Sequence, residues 1–280
     1  MDTSQNDVDV HENQTTDPRK TTRRWRIGWL IFLTLFVGFV ALILLAVPTM
    51  REDARKVQCS NNQREIVLAL HYYHEAYGAL PPLHTVDDQG KSLHSWRVLI
   101  LPFIDQEELY RRIRLNEPWD SAHNQQFHDQ MPLVYHCPSH PGEDCCYSIV
   151  AGQAFIPARA AGSIVGLTFE EVSAEDREDL DNLLTVVEVK ESFCWMAPDA
   201  DVTVDEVRHW IKPDADRAVR GNRIGSFHSG GANATCLNAA SLFFPDDPSK
   251  DPKPYGGKIL VFPSTPTDAE RVDSIRPMAE

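Results

Sequence analysis

An uncharged segment of 21 residues, from 27 to 47, limits what this chain can fold into more than any other feature. Its sequence, IGWLIFLTLFVGFVALILLAV, contains no Asp, Glu, Lys or Arg. As a helix it would be about 32 Å long, which matches a hydrocarbon core of about 30 Å. We therefore predict a single transmembrane helix over residues 27–48, in contact with membrane lipid.

Two other interpretations of this segment are a cleaved export signal and a buried core helix. A signal peptide usually has an apolar core of about 7–15 residues that ends at a small-x-small site, and this segment is longer. An uncleaved signal anchor is therefore favoured. The residues directly before the segment include a basic cluster: Arg19, Lys20, Arg23, Arg24 and Arg26. Under the positive-inside rule this cluster places the N-terminus in the cytoplasm, although further basic residues after the segment weaken the asymmetry.

The charge of the chain is unevenly distributed. The whole chain carries 41 acidic and 27 basic residues, a formal net charge of −14, and residues 1–26 are neutral in sum. Residues 1–26 lack a run of apolar residues and are predicted to be a disordered cytoplasmic tail that ends in the basic cluster. The acidic excess therefore lies on the part beyond the membrane, which argues against nucleic acid as a partner.

The part beyond the membrane, residues 49–263, is predicted to be one α+β domain, followed by a loose tail at 264–280. Apolar and small residues recur at spacings of three and four and predict an amphipathic helix: Cys59, Asn62, Ile66, Leu70, Tyr73 and Tyr77. Strand signals occur later, at 183–189, 232–237, 240–244 and 258–262. One long helix followed by consecutive strands favours a helix packed on a mostly antiparallel sheet.

The six cysteines are compatible with disulfide bonds in an oxidising compartment: Cys59, Cys137, Cys145, Cys146, Cys194 and Cys236. Two bridges are predicted, Cys194–Cys236 and a bridge from Cys59 to one of the cysteines between 137 and 146. Buried free thiols are the alternative. Zinc is disfavoured because no C-x-x-C pair occurs and adjacent cysteines suit tetrahedral ligation poorly.

Several segments, in order along the chain, resemble one family. Residues 59–82, CSNNQREIVLALHYYHEAYGALPP, are similar to a pattern of the planctomycete proteins known as domain of unknown function 1559, which are often labelled prepilin-like or solute-binding-like. Further similar segments are SWRVLILPFIDQEELY, PWDSAHN, CPS, VVEV and SFHSGGAN. The matched positions are Asn61, Asn62, His71, His74, Trp96, Pro118, Trp119, Asp120, Glu188, His228, Gly230, Gly231 and Asn233.

The resemblance implies a cell-envelope protein built like a type IV pseudopilin, with a long N-terminal helix half in the membrane and half packed on an antiparallel sheet. The chain departs from the family pattern at two places. Leu33 stands where a prepilin start has Glu, and Asn238-Ala239-Ala240 replaces the usual Asp-Gly-Ser turn. Because Ala disfavours positive φ, we expect a reshaped turn at this second place.

Several histidines, with a cysteine, a serine and acidic residues near them, are candidates for a metal or catalytic site. His71 and His74 lie three apart on a helix, and His136, Cys137 and His140 lie together in a loop. Hydrogen bonding to the sheet is a sufficient explanation for the helix pair, so no metal and no other cofactor is predicted. Ser226 and His228 with Asp246 or Asp247 lack the nucleophile elbow of a hydrolase, and Glu170-Glu171 lie in an acidic run. The protein is predicted not to be an enzyme.

Two functions from different classes follow. The first is a membrane-anchored, non-enzymatic envelope protein that acts through contacts with unknown envelope proteins or with itself. The alternative is an anchored solute-binding module, with carbohydrate as one candidate ligand, in which Trp119, Trp195 and Trp210 would line a pocket. Burial of these rings in a core would leave the first function.

Overall fold

One long helix, α1, covers Pro18–Tyr77. The structure, a computed structural model, describes residues 18–152, 154–172, 183–211, 223–246 and 253–254. The predicted strand at 258–262, the C-terminal tail at 264–280 and residues 1–17 of the predicted tail at 1–26 lie outside the described residues, whereas residues 18–26 of that tail belong to α1. The chain divides into two units, residues 1–51 and residues 52–280, which are treated separately below.

In the first unit, α1 displays its apolar side chains without burying them. Large exposed apolar residues include Trp29, Leu30, Phe32, Leu33, Leu35, Phe36, Phe39, Leu42 and Leu44. The apolar window of the helix is 0% buried, which contradicts the interpretation as a core helix. Within the described part of the chain, α1 is the helix that is long and apolar enough to cross a membrane. Because α1 begins at Pro18, the basic cluster lies within the same helix, ahead of the apolar segment.

In the second unit, the rest of α1 buries one face. The side chains of Cys59, Ile66, Leu70 and Tyr73 are 0–1% exposed, as the spacing predicted. The helix ends where Gly78 adopts a φ of +71° and donates its N–H to the carbonyl of His74. A glycine in this left-handed conformation is a common helix C-terminus, and the prolines that follow prevent continuation.

The buried face of α1 packs on a mostly antiparallel sheet of six strands. The strands are β3 Cys145–Ala151, β4 Leu184–Phe193, β5 Val202–Thr203, β6 Gly231–Cys236, β7 Ser241–Pro245 and β8 Lys253–Pro254. Their order across the sheet is β5-β3-β4-β6-β7-β8, and only the β3–β5 pair is parallel. The predicted α+β class is confirmed.

Smaller elements complete the second unit. A two-stranded hairpin, β1 His84–Val86 with β2 Ser92–Ser95, leads into α2 Trp96–Leu99. The other helices are α3 Glu107–Arg112 and α4 Val204–Ile211, and short 3-10 turns lie at Leu101–Ile104, Asn124–Phe127 and Leu133–Tyr135. The last two 3-10 turns lie in the long segment between α3 and Cys137.

Strand β4 separates two apolar clusters because its side chains alternate between the faces of the sheet. Val187 and Val189 belong to a cluster that includes Val207 of α4. Val186 belongs to the main core, which includes the buried face of α1. By the same alternation Glu188 points to the side of α1, where it is 1% exposed. A carboxyl group therefore lies inside the core between helix and sheet.

The β6–β7 hairpin predicted from sequence is confirmed, and its strands pair with Ala234 opposite Leu242. The turn contains Ala239 at a φ of +62°, so the alanine adopts the left-handed conformation without glycine. The Oδ1 atom of Asn238 accepts the N–H of Ala240 at 2.8 Å. This local bond helps to hold a conformation that costs an L-residue about 1–2 kcal/mol.

Gly231, at the start of β6, lies where two strands approach closely. A Cβ atom at this position would lie 2.2 Å from the carbonyl oxygen of Phe244. We expect Gly231→Ala to destabilise the domain by about 1–3 kcal/mol, because the strands must separate to admit the methyl group. Urea unfolding followed by tryptophan fluorescence measures this change. An unchanged midpoint would show that the hairpin tolerates the wider spacing.

Candidate metal centre

Four ionisable side chains from distant parts of the sequence meet inside the domain. They are Cys59 of α1, Cys137 of the loop after the last 3-10 turn, Glu188 of β4 and His228 of the loop before β6. Their exposures are 0%, 1%, 1% and 4%. One atom from each, two thiol sulfurs, a carboxylate oxygen and an imidazole nitrogen, lies within 4.8 Å of the other three.

The imidazole nitrogen of His228 contacts each of the other three groups. Its Nε2 atom lies 3.0 Å from the Sγ atom of Cys59 and 3.6 Å from that of Cys137. The same nitrogen lies 3.5 Å from Oε1 of Glu188. The two sulfur atoms are 3.3 Å apart.

A second layer of side chains holds this cluster. Oε1 of Glu52, near the start of the second unit, lies 2.7 Å from Nδ1 of His228. The hydroxyl group of Tyr147 donates to Sγ of Cys59 at 3.0 Å. The backbone N–H of Asn233 donates to Oε2 of Glu188 at 2.7 Å. Through these contacts His228, Cys59 and Glu188 each have a hydrogen-bond partner outside the cluster.

The contacts shift the pKa values of the cluster. The hydrogen bond from Cys59 lowers the pKa of Cys137 to about 5, and donation of that proton together with burial raises the pKa of Cys59. Burial lowers the pKa of His228, but hydrogen bonds to Cys137 and Glu188 outweigh it and raise that pKa to about 10. Burial raises the pKa of Glu52, and the hydrogen bonds from His228, Arg55 and Ser139 outweigh it and lower that pKa.

The donor types in this arrangement suit ion binding. A thiolate beside an imidazolium is the nucleophile of cysteine hydrolases, which must reach a substrate. Here the sulfur of Cys137 and the ring of His228 are buried, and the same ring is hydrogen-bonded on both nitrogens. The cluster can hold a metal ion, or its two thiols can be oxidised to a disulfide.

The histidines considered for metal binding in the sequence lie outside this cluster. Nε2 of His71 lies 2.7 Å from the carbonyl oxygen of Leu237, and the ring of His74 stacks on Phe169 at 4.0 Å. His136 and His140 both lie within hydrogen-bonding distance of the carbonyl oxygen of Gly142. These four side chains therefore serve local packing and hydrogen bonding.

The serine and histidine considered for hydrolysis do not form a catalytic pair. The Oγ atom of Ser226 accepts the backbone N–H of His228 at 3.0 Å, while the ring of His228 is directed into the cluster. The backbone N–H of Asp246 donates to the carbonyl oxygen of Gly230. Asp247 lies outside the described residues.

The six cysteines, all in described parts of the chain, form no disulfide bonds. Cys59 and Cys137 are adjacent, as one predicted pairing requires. The predicted Cys194–Cys236 bridge is wrong, because Cys236 is opposite Leu184 at the start of β4 whereas Cys194 follows the end of that strand. Ten residues of strand separate them by about 30 Å. Cys145 and Cys146 are buried on β3.

The three tryptophans proposed to line one pocket lie in different surroundings. The ring of Trp195 is 1% exposed, stacks on Tyr135 and donates its N–H to the carbonyl of His128 at 3.0 Å. Trp210 packs on Phe244 in the second cluster. Trp119 lines a cavity of about 300 Å³ that neither of the others lines, and its ring stacks on that of His128.

Sequence reasoning missed the cluster as a metal site, although it singled out all four residues. Cys59 and Cys137 were interpreted as disulfide partners, Glu188 as a matched position, and His228 as a matched position and a candidate catalytic histidine. The separations are large, 78 residues between the cysteines and 169 between Cys59 and His228. No local spacing rule applies over such distances. The usable signal was that four residues of metal-ligating types all fall in the matched segments.

Comparisons with known proteins gave one match. Residues 48–179 match the model of the family described as a protein of unknown function, DUF1559. This range includes Cys59 and Cys137 and ends before Glu188 and His228. Neither the curated proteins nor the solved structures gave a match.

Proposed function

Because the chain belongs to the DUF1559 family through residues 48–179, we propose that it is a membrane-anchored, non-enzymatic envelope protein that acts through protein contacts. Its architecture would be pseudopilin-like, with a helix in the inner membrane and an exported domain. The partners would be other envelope proteins or further copies of this chain.

The observation that carries this proposal is the apolar segment of α1. Its large side chains are exposed, for example Phe36 at 54% and Leu42 at 67%, and such a surface requires lipid or protein to cover it. The basic cluster before the segment supports an N-terminus in the cytoplasm. The domain from Glu52 onward would then lie outside the inner membrane.

The non-enzymatic part of the proposal rests on burial. The groups with reactive chemistry, Cys59, Cys137 and His228, are 4% exposed or less, so a substrate has no route to them in this conformation. A domain whose reactive side chains are closed off from solvent is better suited to presenting a stable surface than to catalysing a reaction.

We expect the full-length protein to stay in the membrane pellet after alkaline carbonate extraction and to be released only by detergent. External protease on spheroplasts should remove the domain and leave the N-terminus protected. A control with Leu35 and Phe39 replaced by Arg should lose membrane retention, since each charge at the centre of a helix costs about 2.5–3.5 kcal/mol on insertion. Release of the unaltered protein by carbonate would contradict the anchor.

Contacts are tested by cross-linking in intact cells. A ladder of multiples of this chain would support self-association, and a discrete adduct with a secretion component would support a role as a minor pseudopilin. A free monomer that copurifies with a small molecule would overturn the proposal in favour of solute binding.

The second candidate function, solute binding, is favoured by the cavity beside Trp119. Its wall includes the polar residues Glu191, Asp199 and Arg223, and aromatic walls with a few polar groups are typical of sugar sites. Calorimetric titration with a panel of mono- and disaccharides tests it. Loss of a binding signal in Trp119→Ala but not in Trp210→Ala would place the ligand in this cavity.

A further inference from the structure

We propose that Cys59, Cys137, Glu188 and His228 bind one zinc ion with tetrahedral geometry. The inference goes beyond the proposed function and does not depend on it, because it concerns the interior of the domain. The four ligand atoms would be the two Sγ atoms, one carboxylate oxygen of Glu188 and Nε2 of His228.

The spacing of the donor atoms matches such a site. Zinc–sulfur bonds of about 2.3 Å and zinc–nitrogen or zinc–oxygen bonds of about 2.0–2.2 Å separate tetrahedral ligand atoms by about 3.3–3.8 Å. Four of the six separations in the cluster are 3.0, 3.3, 3.5 and 3.6 Å, and the other two are within 4.8 Å. Movements of a few tenths of an ångström would complete the tetrahedron.

The chemistry of the donors selects the ion. Two thiolates and one imidazole are soft or borderline ligands that favour zinc over magnesium or calcium, which prefer an all-oxygen site. Four protein ligands leave no coordination position for water, which is the arrangement of structural zinc sites rather than catalytic ones. The ion would therefore stabilise the fold.

The electrostatics of the cluster also call for a cation. Glu188 is 1% exposed, and among the described residues its ion-pair partner is His228 and not a Lys or Arg. Two cysteines able to form thiolates lie beside this carboxylate, and Glu52 adds a second carboxylate next to the imidazole. The carboxylates of Glu52 and Glu188 and the thiolate of Cys137 outnumber the one positive charge of His228, and buried charge is costly unless it is paired or coordinates a metal. A divalent cation would supply the compensating charge.

The second layer orients the ligands as zinc sites require. Zinc binding would release the proton from Nε2 of His228, and with Nδ1–H donated to Glu52 the freed lone pair of Nε2 is directed into the cluster. A carboxylate behind a ligating histidine fixes its tautomer and strengthens its basicity. Tyr147 and Asn233 in turn donate to Cys59 and to Glu188, which leaves other lone pairs of these ligands for the ion.

The ion would join four segments that are far apart in the sequence. Cys59 belongs to the helix, Glu188 to the central strand β4, and Cys137 and His228 to two loops. A disulfide between the cysteines is the competing state, and it would join only two of these segments. It would also leave the imidazole of His228 as the ion-pair partner of the Glu188 carboxylate, with no cation added to the cluster. The two states differ in metal content and in thiol count.

The decisive experiment uses the full-length protein, extracted in detergent under nitrogen. Elemental analysis should give one zinc per chain, and X-ray absorption should show two sulfur neighbours at about 2.3 Å with two nitrogen or oxygen neighbours. Protein without zinc whose non-reducing peptide map contains a Cys59–Cys137 disulfide would overturn the proposal. Bound zinc with no sulfur neighbours would overturn it as well.

Matched variants locate the ion. Cys137→Ser and Glu188→Gln should lose bound zinc, whereas Cys194→Ser and Glu191→Gln should retain it. Glu191 is on the same strand as Glu188 but exposed, so it controls for the chemical change. Zinc retained at full stoichiometry in Cys137→Ser would exclude this site. A further test needs no variant. The unaltered protein is treated with a chelator and then loaded with Co²⁺, and thiolate-to-cobalt absorption should appear.

Glu52→Gln tests the orientation of the histidine in a variant with little effect on packing, since the Glu52 side chain is 22% exposed. We expect zinc affinity, measured by competition with a chelator, to fall about 10- to 100-fold. Asp53→Asn, at a side chain that is 73% exposed, should leave it unchanged. Equal affinities in the two variants would contradict coordination through Nε2 with Glu52 as its support.

Discussion

Asp201→Ala is expected to destabilise the domain by about 3–5 kcal/mol, because it leaves a buried guanidinium without its counter-charge. The side chains of Arg97 and Asp201 are 0% and 6% exposed, and Nη2 of Arg97 lies 3.2 Å from Oδ1 of Asp201. The same carboxylate oxygen accepts the indole N–H of Trp96 at 2.9 Å and the backbone N–H of Ile149 at 3.1 Å. One substitution therefore removes the partner of three buried donors.

The measurement is urea unfolding of the full-length protein in detergent, with Asp201→Asn as a graded variant. Asn keeps an oxygen for the two N–H donors and removes the charge, so its loss should be smaller than that of Ala. Glu107→Ala removes the partner of Arg111 in an exposed pair and should change the free energy of unfolding by less than about 1 kcal/mol. An Asp201→Ala midpoint no lower than that of Glu107→Ala would contradict this account.

Trp195→Ala is expected to cost about 3–5 kcal/mol, since it empties the space of a large ring in the core. Trp195 is 1% exposed and packs on Tyr135, which is itself 0% exposed. Its indole N–H also bonds the carbonyl oxygen of His128, which would lose a buried partner. The loss should appear as a lower midpoint of thermal or urea unfolding.

The half-buried Trp210, which packs on Phe244, supplies the control for this prediction. Trp210→Ala should cost clearly less, because its ring is only partly removed from water. If Trp195→Ala instead left stability unchanged and weakened the binding of a solute, the ring would line a ligand site, and the alternative function would gain support.

Much of the fold could be predicted because local rules govern it. The face of α1 with Ile66, Leu70 and Tyr73 follows the helical repeat, and Gly78 marks its end. The β6–β7 hairpin follows from two short strands around a turn. These predictions required only the spacing of residues within about twenty positions.

The cysteine pairings show where such reasoning ends. Cys194 and Cys236 both border strands, which made them look like partners, but antiparallel register places them at opposite ends of β4. Register depends on which residues face each other across strands that are far apart in the chain. The buried Arg97–Asp201 pair, 104 residues apart, could not be foreseen for the same reason.

The sequence by itself determined the apolar segment, the helix after it and the class of the domain, because hydrophobic length and periodicity are properties of neighbouring residues. It also identified Cys59 and Cys137 as candidate disulfide partners and Glu188 and His228 as positions that match the family pattern. Only the tertiary structure brought their donor atoms within 4.8 Å of one another. A metal site requires a distance between atoms, and between residues so far apart in the chain that distance is set by how the helix, the strand and the two loops pack.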